Sequence, residues 1–233
     1  MRILGLATLV GSLACASSAW AIPELDINDG TQVSENAFVS SLGSYTRETF
    51  NASPRTTGSS VSTAVGTFAS TVAGQQGQII SIADGPIAGR GLAPFSGNFL
   101  ESRDSTGVTW HATSATAFDA IGFFLQDAGD QGALLNITAN DGSAATVTVQ
   151  GGGNGNTRYV VIKFDHFVTD AAIDFVNTGN HLNADGWGLD NITVGRLIAG
   201  GGGNAVIPEP ASLVSLASGL FGLGFLLRRR RSR

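Results

Sequence analysis

Between Ile22 and Gly195 the apolar positions fall in short runs rich in Val, Ile, Thr, Phe and Ala, interrupted by Gly, Asn and Asp. The interruptions come roughly every ten residues, and no amphipathic pattern persists beyond three helical turns, so the body is predicted to be built from strands. Thr146-Val147-Thr148-Val149 alternates, with both valines on one face. Tyr159 to Phe164 puts Val160, Ile162 and Phe164 on one face and Lys163 on the other. Phe118 to Leu125 is apolar at both parities, the pattern of a central strand covered on both sides. Asn140-Asp141-Gly142, set between Leu134–Ala139 and Ala144–Val149, predicts a tight hairpin, because Asn and Gly tolerate positive φ. An all-β, antiparallel β-sandwich over 22–198 accommodates these runs.

The ends follow a different pattern. Met1-Arg2 precedes an apolar run from Ile3 to about Ala16, and Ala19-Trp20-Ala21 then offers a small-x-small cleavage site. This is the layout of a secretory signal peptide over 1–21, with the mature chain starting at Ile22. Cys15, after Leu13-Ala14, also suggests a lipoprotein signal, but Ser12 stands where such signals carry an aliphatic residue. At the other end a Gly-rich linker, 199–205, leads to Pro208-Glu209-Pro210, an apolar stretch over 211–227 and a basic tail over 228–233. As a helix the apolar stretch reaches about 25 Å, near the lower limit for crossing a bilayer. Arg228, Arg229, Arg230 and Arg231 would hold the C-terminus on the cytoplasmic side of the inner membrane, leaving the body outside.

Composition narrows the chemistry. The formal charge of −5 hides an acidic middle: from Ile22 to Ile207 seven basic residues stand against seventeen acidic ones. Such a body does not neutralise polyphosphate, which excludes nucleic acid as a partner. Cleavage after Ala21 leaves no cysteine, hence no disulfide and no thiol catalysis. Neither a Gly-x-Ser-x-Gly elbow nor a His-Glu-x-x-His helix is present. His111, His166 and His181 therefore have no catalytic motif around them, and the expectation is a protein that is not an enzyme.

The tripartite tail over 206–233, with Pro208-Glu209-Pro210 as its signature, resembles the PEP-CTERM sorting signal of Gram-negative bacteria. The resemblance implies recognition by an exosortase, processing near the motif after export through the Sec machinery, and a final place at the cell surface or in the extracellular matrix. Two prolines flanking Glu209 keep the segment extended and out of the following helix, where a protease can grip it. The body is similar to one common in such proteins, carried by Phe118 to Asp130, Phe164-Asp165-His166 and Asp185-Gly186-Trp187-Gly188-Leu189-Asp190-Asn191-Ile192. Gln126 and Trp187 depart from the usual threonine and phenylalanine. This likeness implies a jelly roll akin to galactose-binding-like and carbohydrate-binding modules.

Two ligand chemistries fit the body. Asp127, Asp130, Asp185 and Asp190 stand in or beside Gly-containing turns, and hard carboxylate oxygens on such turns suit Ca²⁺. The same acids equally serve as turn formers that bond neighbouring backbone amides. By parity Asp190 shares a face with Ile192 and Val194, which would point it inward, where a carboxylate requires a metal, an arginine or backbone amides. For a sugar, an aromatic platform with polar neighbours is needed. Trp110, Trp187, Tyr45 and Tyr159 are candidates, with Trp187 beside Asn191 the most suggestive. The function expected is thus a non-enzymatic surface or matrix protein sorted by an exosortase. The alternative is a module that binds exopolysaccharide with the help of calcium, and a secreted hydrolase is the least supported reading.

Overall fold

The structure is a computed structural model of the 233-residue chain; it describes residues 22–72, 80–103, 105, 107–128, 133–149, 153–177 and 186–198. The expected signal peptide, linker, sorting motif, membrane helix and basic tail lie outside the described residues. In chain order the elements are β1 (Glu24–Asp29), α1 (Gln32–Ser40), β2 (Leu42–Glu48), β3 (Thr57–Gly58), β4 (Ser60–Thr63), β5 (Gly66–Val72), β6 (Ile80–Asp84) and β7 (Asn98–Glu101). There follow β8 (Gly107–Gln126), β9 (Ala133–Ala139), β10 (Ala144–Val149), β11 (Thr157–Asn177) and β12 (Gly188–Leu197).

Every pairing is antiparallel, and two long strands carry the chain from one layer of the sandwich to the other. Gly107–Thr113 of β8 pairs with β5 and with the second half of β11, which pairs in turn with β9. Phe118–Gln126 pairs instead with β12 and with the first half of β11, which pairs with β1. The register slips between Lys163 and Asp170, where β11 turns the corner. Phe164-Asp165-His166, read from the sequence as a strand end, is this corner.

The two halves of β8 differ because their layers are covered differently. In the first half Val108, Trp110 and Ala112 are buried while His111 and Thr113 face solvent, so the layer of β4, β5, β9 and β10 is apolar on one side only. In the second half both parities are buried, as the apolar run predicts. Ile121, Phe123 and Leu125 face the other layer, and Phe123 meets Trp110 and Phe175 edge-on at 5.9 and 5.7 Å. Ala120 and Phe124 face outward with Tyr159 and Val161 of β11, under Phe38 of α1 and under Phe95 and Phe99. The predicted hairpin forms between β9 and β10, with Gly142 at φ 88°.

Helix α1 begins at Thr31, whose Oγ1 accepts the Ser34 amide at 3.4 Å. Its two buried side chains, Glu35 and Phe38, are three residues apart and therefore share the face that meets the sheet. One of the two is a carboxylate, which makes the region beneath this helix chemically distinctive.

Candidate functional site

The site begins with a bulge in β12. Asp190 stands opposite Phe124 of β8, yet pairing resumes with Thr193 opposite Gly122, so Asn191 and Ile192 together oppose Phe123. Asn191 supplies the extra residue in the left-handed region, at φ 50°. The bulge reverses the parity expected for Asp190. Ile192 and Val194 enter the core between the layers, whereas Asp190 joins Thr193 on the outer face beneath α1.

Several polar groups meet there. Glu35 is fully buried: its Oε1 pairs with Arg47, and its Oε2 accepts from Gln32 and from Asn191 Nδ2 at 3.3 Å. Asp190, also fully buried, accepts the Asn191 amide on Oδ1 at 2.7 Å and a backbone bond from Ser96. Its Oδ2, the Tyr159 Oη and the Thr193 Oγ1 are buried without a hydrogen-bond partner. Burial pushes the Asp190 carboxyl up to about 7; the Asn191 and Ser96 amides oppose the shift, Glu35 adds to it and Arg47 opposes it. Burial and the Glu35 charge likewise raise the Tyr159 phenol. Gly122 forms the floor: a Cβ there would lie 2.5 Å from Phe38 Cδ1 and 2.6 Å from Tyr159 Oη.

A second buried group closes the far end of β8. Arg90 donates from Nη2 to Glu101 Oε1 at 3.0 Å, and from Nη1 to Asp127 Oδ2 at 3.3 Å and the Gly186 carbonyl at 2.9 Å. The other oxygens of both carboxylates are also engaged. Glu101 Oε2 accepts from Ser81 Oγ at 3.1 Å, and Asp127 Oδ1 accepts the Gly155 amide at 2.6 Å. Asp127 adopts φ 65°, in the left-handed region. Here the requirement that a buried carboxylate find a partner is met by a guanidinium and backbone amides.

These contacts correct several expectations. Of the four acids named as calcium ligands, Asp127 is bound to Arg90 and Asp190 lies beneath α1, while Asp130 and Asp185 are outside the described residues. Among the described residues no three of His, Cys, Asp or Glu stand together as metal ligands. Trp187 is no sugar platform. It is 1% exposed and stacks on Phe175 at 4.7 Å, and its backbone bonds to Ser102 in both directions. Asn191 is buried against Glu35 and faces no solvent from which a sugar could approach. Trp110 and Tyr159 are in the interior, and of the four aromatic candidates only Tyr45, 50% exposed, reaches the surface.

Of the histidines, His111 projects from β8 into solvent, His166 pairs with Asp141, and His181 lies outside the described residues. Pro208, Glu209, Pro210 and Arg228 to Arg231 lie outside them too, and no helix among the described residues is long and apolar enough to cross a membrane. Glu35, Arg47, Arg90 and Glu101 have site contacts the sequence did not reveal. Only Arg90 offered a signal, a charged residue between two glycines.

A family model described as the PEP-CTERM protein-sorting motif matches residues 206–231. No curated protein matches the chain. Among solved structures the chain is similar to the CBM35 from Cellvibrio japonicus Abf62, at 15% identity over 65% of this chain and 92% of that one, with a TM-score of 0.37. It is also similar to the CBM51-2 and INT domains from Clostridium perfringens ZmpB, at 9% identity over 67% of this chain, 30% of that one, TM-score 0.33. A third likeness is to the catalytic domain of a GH87 alpha-1,3-glucanase in complex with nigerose, at 11% identity over 66% of this chain, 28% of that one, TM-score 0.37. The chain thus spans under a third of the length of the last two.

Proposed function

We propose that this exported cell-surface chain, which carries a PEP-CTERM sorting motif implying exosortase processing, acts as a non-enzymatic structural component of the surface or extracellular matrix. The observation that carries the reading is the motif itself, at 206–231, behind a β-sandwich body that ends its last strand at Leu197. The body suits a passive role. Its buried charges are held inside the fold by Arg47, Arg90 and backbone amides. The Sec machinery delivers the chain outward, the apolar stretch over 211–227 holds it at the inner membrane during processing, and Arg228 to Arg231 stay on the cytoplasmic side.

Deleting 206–233 tests the sorting role in the native cells. The expected outcome is an intact β body that is exported but released from its surface location. Unchanged surface display of the truncated chain contradicts the proposal.

A second reading, attachment to exopolysaccharide, is favoured by Tyr45, an aromatic side chain that β2 presents to solvent. An aromatic ring open on one face suits the apolar face of a sugar. Retention on the producer's own exopolysaccharide that is lost in Tyr45→Ala supports this reading, and equal elution of both proteins on that matrix and on a control matrix removes it.

A further inference from the structure

Among the described residues five strands have a single neighbour, and four of them are guarded against further pairing. Strand β1 carries Glu24, Asp26 and Asp29, β2 ends in Arg47 and Glu48, and β3 and β4 are only two and four residues long. Charge and shortness are common protections of a sheet edge, because an unguarded edge is a template for another strand. The fifth strand, β10, has neither. Ala144–Val149 is six residues without a charge, a glycine or a proline, and its register with β9 runs unbroken.

The hairpin fixes which backbone groups of β10 face outward. The Ser143 carbonyl accepts the Ala139 amide at 2.9 Å, so Ser143 faces β9, and by alternation so do Ala145, Val147 and Val149. The amides and carbonyls of Ala144, Thr146 and Thr148 therefore point away from β9, to a side where no described strand lies. The side chains of these three residues are exposed, while Ala145 and Val147 pack against the core but are only partly covered. A strand added here would receive the outward backbone groups and finish covering Ala145 and Val147.

Charge and side-chain pattern favour a second copy of this chain as that strand. With seven basic residues against seventeen acidic ones from Ile22 to Ile207, two copies repel one another over most of their surface. At this edge they do not: the only charged residue between Ala133 and Val149 is Asp141, at the turn, where it is paired with His166. In an antiparallel register centred on Thr146, threonine meets threonine on the outer face, and on the inner face Ala145 meets Val147. We propose that β10 pairs with β10 of a second copy across a two-fold axis at Thr146, joining the β9–β10 layers of two bodies into one sheet. Ala144, Thr146 and Thr148 then each donate and accept a main-chain bond across the axis, in an isologous interface. The pairing goes beyond the structural role proposed above by giving it a means of assembly. It rests on the body alone, so its failure leaves the sorting role standing, and the reverse holds.

The test combines light scattering with amide hydrogen exchange on the protein recovered from its native cells, over a range of concentrations. The expected result is a dimer in which exchange at Ala144, Thr146 and Thr148 slows as concentration rises, while Ala145 and Val147, bonded to β9, are protected throughout. Thr146→Lys sets two like charges against each other at the axis and should weaken self-association by about tenfold or more. Thr146→Pro removes an outward donor without touching the β9 ladder and should do the same. Fluorescence of the buried Trp110 and Trp187 checks that each variant is folded. A monomer at every concentration overturns the proposal, as does a dimer whose Thr146 amide exchanges as fast as in the monomer, or one that both folded variants preserve. Protection of these amides by a different polypeptide at equal stoichiometry overturns it too.

Discussion

Two groups of charged side chains are buried in this sandwich, and they are completed in opposite ways. Around Arg90 all four oxygens of Glu101 and Asp127 accept a hydrogen bond, from the guanidinium, a serine and a backbone amide. Around Asp190 one carboxylate oxygen and two hydroxyls accept or donate nothing. In the first arrangement both carboxylates are completed by the chain itself. Desolvating charge is costly wherever it happens, so the two groups should respond differently to substitution and to pH.

The largest expected effect of breaking this contrast is at Arg90. Arg90→Met removes the cation and strands two buried carboxylates, at a cost of about 3–5 kcal/mol, measured as a fall in the urea midpoint.

Next is the pH dependence of the open group. The Asp190 carboxyl is raised to about 7 from an ordinary value of 3.8, so the folded state holds this proton more tightly than the unfolded one. Its contribution is complete below about pH 4 and is lost as pH rises through about 7, on the order of a few kcal/mol. Asp190→Asn should flatten the stability profile across that window. A variant with the same slope as wild type would assign the slope elsewhere.

Gly122→Ala should cost about 1–3 kcal/mol, because its methyl group meets Phe38 and Tyr159 and lifts α1 from the sheet. It should leave the Arg90 group intact. The smallest change should come from Arg55→Ala, since the Arg55–Asp84 pair is solvent-exposed and such pairs contribute roughly 0–1 kcal/mol. A comparable loss at Arg55 and Arg90 would remove the distinction between buried and surface charge on which the comparison rests.

The sequence made the strands legible where one period dominated. Phe118 to Leu125 announced double coverage, and Asn140-Asp141-Gly142 announced the β9–β10 hairpin. Helix α1 was illegible because only Glu35 and Phe38 of its nine residues are buried, and a buried glutamate reads as a solvent position. The site was misread for two physical reasons. Parity holds only while pairing is regular, and the bulge at Asn191 turned Asp190 to the other face. Trp187 next to Asn191 looked like a sugar site, yet the same bulge and the contact with Phe175 place one in the core and the other under the helix. The partners that define both polar groups, Glu35 at a separation of 155 residues from Asp190 and Arg90 at 37 from Asp127, come together only through the sheet.

The claim on which the account depends is that this body is carried outward and released through its two ends. Intact mass of the protein recovered from its native cells measures that directly. The account predicts a mature chain that starts at Ile22 and has lost the residues beyond the Pro208-Glu209-Pro210 region. A full-length polypeptide in the cytoplasm, with Met1 and Arg233 both retained, would contradict it.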